Sequence, residues 1–158
     1  MELISGCEQK EDVLALFIQY TESIAKLDPY VRKTLQTQHF GEELQNLEAK
    51  YGMPKGRLYL AVVDGNAVGC GALTYNSDEY CEMKRLFVKP EYRGAHIAQQ
   101  IVDRLIADAR AIGYKYMRLD TFPFAEEAIR LYEKNGFRYV GKYNDNPTPH
   151  AIYMQKDL

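Results

Sequence analysis

With 158 residues the chain is long enough for one compact domain with a full core and too short for two ordinary ones. Hydrophobic residues make up 46% and charged residues 27%, a globular composition that speaks against wholesale disorder and against a membrane-embedded architecture. The 20 Lys and Arg are offset by 22 Asp and Glu, a formal charge of −2, and so small a charge without a basic stretch argues against a nucleic-acid partner.

The start, MELISGCEQKEDV, lacks a basic stretch followed by a long apolar one, so a cytoplasmic protein is expected. Residues 2–5 read as a first strand. Over 10–27 the apolar residues Val13, Leu14, Phe17, Ile18, Ile24 and Leu27 recur at helical spacing, and Asp28-Pro29 ends the run because proline disfavours helical geometry in the residue before it. A second helix is predicted over 41–51, with Leu44 and Leu47 on one side. RLYLAVV (57–63), the turn Asp64-Gly65-Asn66 and VGCGALTY (68–75) read as a hairpin, since the turn residues tolerate positive φ. A strand follows over 80–88, ended by Pro90. Ile97, Ile101, Val102, Leu105, Ala109 and Ile112 share one face of a helix over 96–112, with Gly113 placed as its cap. KYMRLDTF (115–122) reads as a strand and AEEAIRLYEKNGF (125–137) as a short helix closed by Asn135-Gly136. Two final strands, 137–143 and 151–158, flank the polar loop NDNPTPH. This alternation predicts an α/β (α+β) fold: a mixed central sheet of six to seven strands with about four helices packed on both faces.

Cys7, Cys70 and Cys81 are odd in number and lack CxxC spacing, so reduced and mostly buried thiols are expected rather than a disulfide framework. His39, His96 and His150 are too dispersed to suggest a metal cluster.

The stretch EYRGAHIAQQ, 91–100, sets a glycine-containing turn between a strand and the most regular helix of the chain. The first turn of a helix leaves N–H groups unpaired and carries a partial positive charge, and Arg93 adds a full one. Such a junction suits a phosphorylated cofactor.

The run CEMKRLFVKPEYRGAHIAQQIVDRL followed by AIRLYEKNGF, within 80–137, resembles the GNAT superfamily of acyl-CoA-dependent N-acetyltransferases, in particular small stand-alone members. In that family the turn is usually Gln or Arg, two residues, Gly, one residue, then Gly or Ala; here it reads Arg93, Gly94, Ala95, His96, Ile97, Ala98. His96 stands where the family has its central glycine. Ala125 stands where many members carry an asparagine beside the pantetheine arm. The resemblance implies that acetyl-CoA is the cosubstrate, held at its pyrophosphate by Arg93, Gly94, Ala95, His96, Ile97, Ala98 and Gln99. It implies too that the pantetheine amides pair with the backbone of Leu86, Phe87 and Val88 where two parallel strands diverge.

Acetyl transfer needs a neutral amine, a stabilised oxyanion and a proton for the departing thiolate. By position in the matching motifs, Glu82 is the candidate base, acting through water, and Tyr132 the candidate acid. No Cys–His pair is evident, which favours direct attack by the amine over a covalent intermediate. Thr121, Tyr143, Asn146 and His150 are candidate substrate contacts, with Asp120 either an acceptor contact or a cap for the next helix. Lys84 and Arg85 could attract the acidic coenzyme, but surface charge is the better reading. The partner is an amine on a small molecule or peptide: Glu82, Asp120, Glu126 and Glu127 would welcome a polyamine or amino sugar, while a free amino acid or a protein amino terminus fits the same sequence. Relatives frequently pair through their last strands, which implies a homodimer. The alternatives are a non-catalytic acyl-CoA-binding sensor, prompted by His96 and Ala125, and a plain interaction protein.

Overall fold

A computed structural model describes residues 1–158. Its strands are β1 (Glu2–Ser5), β2 (Arg57–Val63), β3 (Asn66–Tyr75), β4 (Tyr80–Val88), β5 (Tyr116–Thr121), β6 (Arg138–Val140) and β7 (Ile152–Asp157), joined in one sheet of order β1-β2-β3-β4-β5-β7-β6. All neighbours are antiparallel except β4 and β5, so this is the mixed sheet the sequence predicts. No helix is long and apolar enough to cross a membrane.

The helices number six rather than about four: α1 (Lys10–Ala25), α2 (Val31–Thr37), α3 (Phe40–Gln45), α4 (Leu47–Tyr51), α5 (Ile97–Ile112) and α6 (Glu126–Lys134). Helix α2 escapes a reading of apolar period because it is short and buries only Val31 and Thr34. The helix expected over 41–51 is two, broken at Asn46, which lies at φ −141°, ψ 80° and whose side chain accepts from the Ala49 amide to cap α4. The strand expected over 137–143 holds only three residues, Arg138 to Val140, paired with Gln155 to Tyr153 of β7. Beyond it the chain leaves the sheet for a loop fastened by its own side chains, the Asn144 carbonyl oxygen accepting from the Asn146 amide and that of Asn146 from the Thr148 amide.

Apolar cores fill both faces of the sheet. Ile101, Val102 and Leu105 of α5 pack with Met83, Met117, Leu119 and Met154, while Val13, Leu16 and Phe17 of α1 and Tyr51 of α4 pack with Leu58, Leu60, Cys70 and Phe87. Helix α5 presses directly on the strand backbone at Gly71, where a Cβ would lie 2.4 Å from Ile101 Cγ2. Opposite that point β4 bulges. Cys70 pairs with Phe87 but Ala72 with Lys84, so Arg85 and Leu86 together face Gly71, and Arg85 takes a left-handed φ of 58°. The bulge sends Leu86 toward the α5 core and Arg85 toward α3.

Candidate active site

Strands β4 and β5 pair over three residues only, Tyr80 to Glu82 with Tyr116 to Arg118. Past that point β5 continues against β7, and β4 runs on to Val88 with its β5-facing edge unpaired. Leu86, Phe87 and Val88, expected to offer free backbone, all lie on this edge. At its end a 3₁₀ turn (Pro90–Tyr92) leads into the segment before α5. The N–H groups of Gly94, Ala95, His96, Ile97, Ala98 and Gln99 donate to no protein acceptor, and the first inward bond runs from Gln100 to the His96 carbonyl, 3.2 Å. The first turn of α5 carries no acid, whereas α6 has Glu126 and Glu127 there. Gly94 has φ 85° and His96 φ 58°, so His96 holds a left-handed conformation that a glycine would adopt without strain. Its side chain is exposed and leaves the amide accessible. Arg93 turns back so that its Nε donates to the Val88 carbonyl at 3.1 Å, tying the turn to the end of the open strand.

Glu82 is the last β4 residue paired with β5, and it is buried. Its Oε2 accepts from the Tyr143 hydroxyl at 2.6 Å and its Oε1 from Asn76 Nδ2 at 3.5 Å. Burial, then the negative charge of Glu82, push the Tyr143 phenol well above its ordinary pKa, so it stays a donor. Glu82 lines a polar cavity of about 310 Å³ with Lys84, Lys50, Asn76, Asn144 and Asn146. Arg118 of β5 lies behind it, its guanidinium 4.1 Å from the Tyr80 ring and 4.4 Å from the Tyr143 ring. Gln38 and Asn146 also line a smaller adjoining cavity with Tyr20, Arg85, Asp120, Thr121 and Phe122.

Lys84 and Arg85 depart from the surface role expected of them, with only 9% and 7% exposure. Arg85 grips buried Glu43 of α3 through Nε at 2.8 Å and a terminal nitrogen at 2.9 Å, and Lys50 Nζ adds 2.6 Å. Burial alone would raise the Glu43 pKa, but Arg85 and Lys50 outweigh it and lower the value from 4.5 to about 2. For Lys50 burial wins and its pKa falls despite Glu43, so Arg85 is the principal counter-ion.

Tyr132 is buried on α6, its ring centroid 5.8 Å from that of Phe137. Burial, with smaller contributions from Tyr20 and Asp120, raises its pKa and keeps the phenol protonated. Cys70 and Cys81 are buried free thiols pushed up to about 12, chiefly by burial, and Cys7 is half-buried.

The structure therefore gathers Glu82, Tyr143 and Asn146, and it sets Thr121 and Asp120 in the adjoining cavity. Asp120 caps nothing: it accepts from Asn144 at 2.8 Å and Asn146 at 3.2 Å, and α6, with Ala125 at its N-cap, has no side-chain cap. His150 is exposed and lines neither cavity, because the loop tip turns outward beyond Thr148. Glu126 and Glu127 are exposed on the first turn of α6. Among the cavity-lining residues missed by the sequence reading are Tyr20, Gln38, Lys50, Thr74 and Asn76. Tyr20, Gln38 and Lys50 come from elements remote in sequence, Thr74 stands across the β3–β4 hairpin from Glu82 and Asn76 lies in its turn, and none sits in a motif. Lys84 carried a signal, being one of two adjacent cations that follow Glu82 in a strand whose other residues are apolar or aromatic.

The acetyltransferase (GNAT) family model matches residues 21–137, most of the chain, and the protein belongs to that family. It is thus an N-acetyltransferase of a family whose acyl donor is acetyl-CoA. An uncharacterized N-acetyltransferase of Schizosaccharomyces pombe is 37% identical over 126 residues, 78% of this chain and 77% of that protein. An IAA acetyltransferase of Azospirillum brasilense is 36% identical over 66% of this chain and 70% of its own length. Among solved structures, an acetyltransferase from Streptococcus agalactiae superposes with a TM-score of 0.80 at 22% identity, covering 99% of this chain and 98% of its own.

Proposed function

We propose that this chain moves an acetyl group from acetyl-CoA to a primary amine of a small molecule or peptide by direct attack. One observation carries the reading: strand pairing stops at Glu82, so a buried carboxylate and an open strand edge meet at a single fork. Six free amides and Arg93 at the start of α5 suit the pyrophosphate, and the open edge from 83 to 88 suits the pantetheine amides. Bound there, the cosubstrate supplies a thioester carbonyl.

In this reading Glu82 takes the amine proton, directly or through a water, while Tyr143 and Asn76 fix its carboxylate. A backbone N–H of the open edge stabilises the oxyanion. Tyr132, kept protonated by burial, donates to the departing thiolate. Both buried cysteines are protonated at neutral pH and lie outside the two cavities, which supports direct transfer over a covalent thioester. Release of free CoA from acetyl-CoA across a panel of amines tests the proposal. Release that requires an amine and collapses in Tyr132→Phe is expected; acetyl-CoA binding without release for any amine would make the chain an acyl-CoA-binding module instead.

A further inference from the structure

The charges around the cavity are balanced rather than acidic. Lining the two cavities are Lys50, Lys84 and Arg85 against Glu82, Asp120 and an exposed Asp145. Arg85 and Lys50 are spent on Glu43, and Asp120 is occupied by two asparagine amides. Lys84 is the exception. Its side chain is 7% exposed, it donates no hydrogen bond to any protein atom, and its one ionic neighbour, Glu82 Oε1, is 3.8 Å away. That is too far for a hydrogen bond. The three N–H donors of the ammonium are therefore left to whatever fills the cavity that Lys84 lines, and a carboxylate there would meet a full positive charge.

Lys84 and Glu82 alternate on β4 and so present a cation and an anion side by side on one face of the sheet. A molecule complementary to that pair carries an amine and an acid a few atoms apart. The cavity, at about 310 Å³, lies at the low end for small-molecule sites. A polyamine would bring a second cation against Lys84 and Lys50, and a peptide amino terminus would set a neutral amide where Lys84 needs a charge.

Resting on the transferase reading above, we propose that the acceptor is a free α-amino acid whose carboxylate is held by Lys84 while its amine faces Glu82. Lys84 is then a specificity residue, and its contribution lies in binding the acceptor rather than in the chemical step.

The test is calorimetric binding to the CoA-saturated protein of L-alanine, L-aspartate and L-methionine, each paired with its α-carboxamide, with CoA release from acetyl-CoA measured for the same pairs. The acid of at least one pair is expected to bind roughly ten- to a hundredfold tighter than its amide, the size of a lost charge-assisted hydrogen bond. Lys84→Met and Lys84→Gln should bring the two members to within about threefold, with binding of CoA unchanged. Equal or better binding by the amides in the wild type overturns the proposal, as does binding by none of the six, or a preference that survives both substitutions. Because the wild type alone decides the first two outcomes, a misfolded variant cannot hide a failure. Acid-selective binding without CoA release would sink the transferase reading and leave the amino-acid site standing; release favouring a polyamine or peptide amine would do the reverse.

Discussion

The surfaces proposed for the donor and for the acceptor are built from different materials. On the donor side the working surface is backbone: an unpaired strand edge over residues 83–88 and six free amides from Gly94 to Gln99. On the acceptor side it is side chains drawn from α2, α4, β3, β4 and the loop before β7, which enclose a polar cavity around Glu82 and Lys84. Backbone donors are indifferent to most substitutions, since every residue but proline supplies one. Buried charges are not, because each needs a partner to offset its desolvation. The donor side should therefore tolerate changes that the acceptor side does not.

Glu43 offers the largest test of that contrast. Removing its charge in Glu43→Gln leaves Arg85 buried and unpaired at the bulge beside the acceptor cavity, and a loss of about 3–5 kcal/mol is expected in urea unfolding. A loss below about 1 kcal/mol would mean that water reaches Arg85 and that this half is less dependent on ion pairing than its burial indicates. The same pair sets an acid limit. The folded Glu43 pKa is depressed from 4.5 to about 2, so its contribution is complete above the unfolded value and lost as pH falls from about 4.5 to about 2. Melting temperature followed from pH 6 to pH 2 should drop across that window in the wild type, and less steeply in Glu43→Gln.

Catalytic substitutions come next in size. Tyr132→Phe is expected to lower kcat by about a hundred- to a thousandfold with acetyl-CoA affinity unchanged, as for removal of a general acid. Glu82→Gln should cost roughly a hundredfold in kcat/KM for the amine and leave thermal stabilisation by CoA intact. Equal loss of CoA binding in Glu82→Gln would blur the two halves into one site.

On the donor side the effects should be small. Arg93→Ala removes one cation and its bond to the Val88 carbonyl, and titration should show acetyl-CoA binding about tenfold weaker, on the scale of one charge-assisted hydrogen bond. His96→Gly keeps the amide and relieves the left-handed backbone, with about 1 kcal/mol gained or no change in unfolding and unchanged or slightly tighter CoA binding. Strong weakening in His96→Gly would show that the imidazole itself touches the cosubstrate.

The donor side was readable in the chain because its parts are contiguous. A strand ending at Pro90, a turn at Arg93-Gly94 and an amphipathic helix to Ile112 fall within one stretch of sequence, and helix geometry alone leaves its first amides free. The acceptor side was readable at Glu82, Tyr143 and Asn146 and, in the adjoining cavity, at Asp120 and Thr121, which lie in or beside motifs. Lys50, Thr74 and Asn76 reach the cavity through strand register and the α3–α4 break at Asn46, and nothing in their local sequence marks them. Lys84 and Arg85 looked like surface charge because strand alternation would place one of them outward. The bulge facing Gly71 cancels that alternation and buries both. His150 was assigned to the site by its loop, and the turn at the loop tip carries it away.

The sequence by itself determined the mixed sheet, the glycine turn before α5 and, through the resemblance of the 80–137 run, the family, since each rests on periodicity or on a motif of adjacent residues. Only the tertiary structure decided where β4 parts from β5, that Glu43 neutralises Arg85, and that Lys84 faces the cavity beside Glu82 with no protein acceptor in hydrogen-bond reach. Those outcomes depend on which distant segments meet and at what register, and a pairing across the sheet or between a helix and a bulge leaves no trace in local order.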